Sequence, residues 1–130
     1  MPIRWKRVVL LCSVLGVAAT SSQAPGLRPV MRQKLTHAQK ILAAVVTSDW
    51  GALESESLAL VALTKVPAWA VLTSPEYGQH SAEFRQAIRD LHQAAARHDL
   101  EETPQAYNTV IRRCVECHRY IARARQAKGR

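Results

Sequence analysis

Two thiols and an imidazole stand together near the end of this 130-residue chain, in Cys114-Val115-Glu116-Cys117-His118. With C-x-x-C-H spacing, the thiols can add to the two vinyl groups on one edge of a porphyrin while the imidazole reaches the iron, which is the attachment pattern of c-type haem. On an α-helix, with Cys114 at zero, Cys117 falls about 60° to one side and His118 about 40° to the other, so a single face presents all three. Val110, Ile111 and Ile121 lie on or near that face and supply an apolar wall.

Three other chemistries use such residues. A structural zinc site needs four ligands, and no second cysteine pair accompanies this one. A thioredoxin-type dithiol sits at a helix N-terminus after a strand, whereas this pair falls well inside a predicted helix. A disulfide within C-x-x-C would bridge one helical turn and constrain almost nothing. An export signal favours haem among the four, because covalent attachment follows translocation.

Such a signal is present in the sequence. Residues 1–24 begin with Arg4, Lys6 and Arg7, continue as an apolar run from Val8 to Ala19, and end in the small residues before Ala24. The run is shorter than the ~20 residues that span a bilayer, which predicts a cleaved leader and no stable membrane anchor. Cys12 follows bulky Leu10 and Leu11, the wrong context for lipid modification, and is expected to leave with the leader. The predicted location is the periplasm, where oxidation or cofactor attachment is favoured over free thiols.

The net charge of +8 divides unevenly. The leader has no acid, and neither does the stretch from Arg119 to Arg130, so the body between them is neutral. A basic groove for nucleic acid therefore has little support.

Four amphipathic segments position the motif. The first, 29–47, carries Met31, Leu35, Ala38, Leu42 and Val45 or Val46 at helical spacing, with His37 pointing away into solvent. Ser48-Asp49 provides a turn and a cap for the second, which carries Trp50, Leu53, Leu58, Leu60, Val61 and Leu63 and closes at Pro67. Trp69, in a short connection, is expected to plug one end of a core. Ser74-Pro75-Glu76 starts the third, with Tyr77, Ser81, Phe84, Ile88, Leu91 and Ala95 as its stripe. Thr103-Pro104 repeats that start for the fourth, which carries the motif. No segment alternates with period two between turns, and short connections make neighbours antiparallel. The expected fold is all-α, an antiparallel four-helix up-down bundle over 25–125, with haem near the end of the last helix and a frayed basic tail at 126–130. An alanine-rich core with one phenylalanine is thin, and a flat apolar cofactor would fill it.

His118 takes one axial position by motif. Met31, on the core face of the first helix near its start, is the best source of the other, since antiparallel helices bring that start near the end of the fourth. The alternative is that Met31 is simply core packing. His37, His80, His92 and His98 are weaker candidates.

These features resemble the class II cytochromes c, the cytochrome c′ group, over essentially the whole chain after the leader. In that family the distal position comes from the first helix; members with an apolar residue there are five-coordinate, and low-spin members have methionine. Met31, followed by Arg32 and 17 residues before Ser48, is similar to that methionine. The family often continues C-x-x-C-H-x-x-Tyr-Arg, whereas here Tyr120 comes one residue early and Arg123 one late. Arg112, Arg113, Arg119 and Arg123 are candidates to neutralise haem propionates.

The expectation is an exported monohaem cytochrome carrying single electrons between redox partner proteins, with haem c held by Cys114, Cys117, His118 and Met31. The runner-up is a five-coordinate haem protein that binds nitric oxide or another small gas. A third class is a thiol or zinc protein without haem. No Ser/His/Asp set, paired carboxylates or phosphate loop suggests an enzyme, and the sequence leaves room for a homodimer.

Overall fold

The computed structural model describes residues 26–129; the expected leader lies outside them. Among the described residues the chain is all-helical: α1 (Leu27–Thr47), α2 (Trp50–Leu63), a 3-10 turn (Pro67–Trp69), α3 (Pro75–Ala96) and α4 (Glu102–Lys128), with no strand. Successive helices pack on one another and α1 also meets α4, an arrangement compatible with a helical bundle.

Local signals place most helix ends. Ser48 adopts the left-handed conformation, φ 54°, which reverses the chain after α1. The Asp49 carboxylate then accepts from Ala52 N at 3.0 Å and caps α2. Ser74 Oγ accepts from Tyr77 N at 3.2 Å, ahead of Pro75 in the first turn of α3. The start of α4 differs from the Thr103-Pro104 signal. Asp99 Oδ1 accepts from both Glu101 N, at 3.0 Å, and Glu102 N, at 2.8 Å, so the helix begins earlier and Thr103 is buried inside its first turn. At the other end α4 continues through Lys128 where a frayed tail is expected.

The core holds Phe84, Ile88 and Leu91 of α3 against Ile41, Leu53, Leu60 and Val110. Every residue in the expected α3 stripe is buried. On α1 the buried face is instead Val30, Lys34, Ala38, Ile41 and Ala44. Leu35 is 60% exposed and Leu42 49%, so the expected stripe is rotated by about one residue, or 100°. A lysine occupies one of the core positions, which disguises the true face. Leu58 of α2 is likewise exposed.

Replacing Phe84 with alanine is expected to cost about 3–5 kcal/mol, because the ring is 2% exposed and stacks on Trp69 with centroids 5.7 Å apart. Urea unfolding would show it as a lowered midpoint.

His37 is not solvated. It is half-buried and pairs with the Glu56 carboxylate, which also accepts from Lys40 Nζ at 3.2 Å, joining α1 to α2. The His37 hydrogen bond is the main reason that Glu56 titrates below its ordinary 4.5. Because the folded pKa is depressed, this stabilisation is present above pH 4.5 and is lost as pH falls below it towards the folded value. Glu56→Gln should cost about 0.5 kcal/mol at neutral pH. Its urea midpoint should converge on that of the parent protein in acid.

Candidate functional site

A cavity of about 620 Å³ opens between the first turns of α1, the segment after the 3-10 turn, and the last three turns of α4. Its size falls in the usual range for cofactor pockets. Met31 lines it from α1, and Cys117 and His118 line it from α4. Cys114, one turn earlier, does not line it and is half-buried against the hydrophobic core.

The far wall is fixed by hydrogen bonds. Trp69 is buried, its Nε1 donates to Ser81 Oγ at 3.1 Å, and the Tyr77 hydroxyl donates to the Trp69 carbonyl. Both aromatic residues line the cavity, so the connection that carries Trp69 closes one end of it as well as capping the core. Ile121 and Leu72 extend the apolar lining, and Tyr107 OH ties α4 to α1 through the Ala38 carbonyl at 2.9 Å.

Burial lowers the pKa of His118, with Lys34 adding to the effect, which favours the neutral imidazole, the form that ligates a metal. Burial pushes the Cys117 thiol up, opposed by the same lysine. Among the described residues no group of three or more His, Cys, Asp or Glu side chains is placed to hold a metal ion.

None of the other four histidines lines the cavity. His37 belongs to the Glu56 pair, His98 stacks on Trp50 at 5.0 Å, and His80 lies against Tyr120 at 5.2 Å. His92 has a buried, unpartnered Nδ1 on α3. Of the axial-ligand candidates read from the sequence, Met31 lines the cavity together with His118, and so does one side chain that sequence reasoning missed.

That side chain is Lys34, three residues after Met31. It is only 7% exposed and also lines the cavity. Its Nζ sits 3.7 Å from the Phe84 ring centroid and 5.0 Å from that of Trp69. Burial lowers its pKa, while nearby Cys114 and Cys117 oppose the shift.

The arginines at the cavity also differ from the expected set. Arg113 pairs with Glu83 at 3.0 Å and Glu116 at 2.8 Å, and Arg112 donates to Thr109 Oγ1 at 3.2 Å. Arg119 and Arg123 line a separate polar pocket of about 400 Å³ with Arg113, not the cavity of His118. The cations that line that cavity besides Lys34 are Arg28, Arg32, Arg125 and Lys128, and no carboxylate of the described residues lines it. Helical spacing could have found them: Arg28 and Arg32 lie one turn apart, and Arg125 lies two turns beyond His118.

Comparison of the chain with protein-family models, curated proteins and solved structures finds no match.

Proposed function

We propose that this protein is an exported, monohaem c-type cytochrome that passes single electrons between redox proteins in the periplasm, and that it resembles the low-spin class II cytochromes c. In this reading the helices form an antiparallel up-down bundle, supported by the packing of each helix on the next and of α1 on α4. Cys114 and Cys117 would hold haem through thioethers, and His118 and Met31 would bind its iron.

The observation that carries the proposal is the meeting of Met31 with Cys117 and His118, 86 and 87 residues later in the chain, on one largely apolar cavity. The site suits the group in three respects. Its volume and aromatic wall accept a large flat ring, its cations suit two carboxylates, and burial favours the neutral form of its histidine. Bound there, haem supplies a one-electron iron couple, with His/Met ligation favouring a raised potential. Each chain residue then has a defined task. The two cysteines fix the ring edge to α4. Trp69 and Tyr77 keep water from one side, and Arg28, Arg32, Arg125 and Lys128 accept the acidic edge. Met31 would keep outside ligands from the iron, which separates an electron carrier from a gas-binding protein.

Periplasmic expression with haem-maturation factors should yield a red protein whose colour stays with the polypeptide in acid-acetone. Extractable or absent colour would remove the proposal.

A further inference from the structure

Lys34 is an unusual residue to find in a helical core. Among the described residues it forms no ion pair, and its ammonium is cradled by the faces of Phe84 and Trp69. Aromatic faces stabilise a desolvated cation, which offsets part of its burial cost. A leucine or methionine at this position would cost nothing to desolvate, so stability alone does not account for a lysine here. Its placement is more telling: it shares a wall with Met31 and faces the helix that carries Cys114, Cys117 and His118. The other cations lining the cavity, Arg28, Arg32, Arg125 and Lys128, are exposed and screened by solvent, whereas Lys34 is not.

We propose that Lys34 raises the reduction potential of this site by holding a positive charge in the cavity wall. The inference rests on haem being attached at Cys114 and Cys117. Reduction adds one electron to the iron and lowers its charge by one, so a fixed cation in a poorly screened wall disfavours the oxidised state more than the reduced one. No bond to the chain forms or breaks, and no proton need move. A poorly screened unit charge is expected to change such a one-electron equilibrium by roughly tenfold, equivalent to about 59 mV.

The test is a potentiometric titration of the haem-loaded protein, with dithionite as reductant and ferricyanide as oxidant. Lys34→Met and Lys34→Gln should both lower the midpoint potential by about 59 mV, a tenfold loss in the reduction equilibrium. The two substitutes differ in polarity and packing, so a shared shift reports the lost charge. Lys34→Arg should restore most of it. Spin state should be unchanged in all three, and urea unfolding would verify that each variant is folded. A potential that stays at the parent value in both neutral variants overturns the role of Lys34. So does a change of spin state, which would make Lys34 an iron ligand. Parent protein that matures without covalent haem would instead overturn the attachment on which the inference rests.

Discussion

Met31→Ala is expected to convert a low-spin haem spectrum to a high-spin one and to open the ferrous iron to carbon monoxide, with binding rising from negligible to one molecule per chain. The thioether is half-buried in the lining of the cavity shared with His118, and none of the four remaining histidines lines it. On the proposed ligation, removing it would leave His118 as the sole axial donor, the arrangement of a five-coordinate gas binder. Optical spectra of the oxidised, reduced and carbon monoxide-treated forms would decide the matter. A spectrum unchanged from the parent would eliminate Met31 as a ligand. A parent protein that is already high-spin and binds carbon monoxide would favour the gas-binding alternative over electron transfer.

A comparably large effect is expected at the attachment cysteines. Cys114→Ala with Cys117→Ala should reduce covalently retained haem from one per chain to none, with any bound haem then extractable into acid-acetone. Either single substitution should leave one thioether and a shifted absorption spectrum. Cys114 packs against the core while Cys117 lines the cavity. The Cys114 variant should therefore also lower the urea midpoint more than the Cys117 variant does, since truncation in a packed surrounding leaves a void.

How much of this was legible in the sequence differs from helix to helix. The α3 start and buried face follow from a serine cap, a proline in the first turn and an unbroken apolar stripe, because each local signal agrees with the packing. On α1 the signals conflict. Leu35 and Leu42 form a plausible stripe, yet the residues that pack are the smaller Val30, Ala38 and Ala44 together with Ile41 and Lys34. Hydrophobicity alone cannot assign a lysine to a core, since its burial depends on the faces of Phe84 and Trp69, which come from elsewhere in the chain. The Asp99 side chain moves the start of α4 because it satisfies two backbone donors before Thr103 is reached, a tertiary-independent signal that the more familiar Ser/Thr-Pro pattern obscured.

The site divides in the same way. Cys114, Cys117 and His118 are recognised by spacing, and helical geometry alone places them on one arc. The approach of Met31 depends on how α1 lies against α4, which the sequence suggests only through short connections. The arginines near the cavity were misplaced because Arg113, close in sequence to the motif, is held by Glu83 and Glu116 on the other side of α4. The cations that do line it come from the start of α1 and the end of α4, where distance along the chain hides their proximity.

The most direct measurement is the intact mass of the mature, denatured protein after periplasmic maturation, followed by fragmentation to locate any added group. Addition of two thiols across two vinyl groups loses no atoms, so the chain should weigh one whole haem more than its amino acids, with the added mass confined to Cys114 and Cys117. A mature chain at the bare polypeptide mass, or haem carried elsewhere, would contradict a c-type cytochrome.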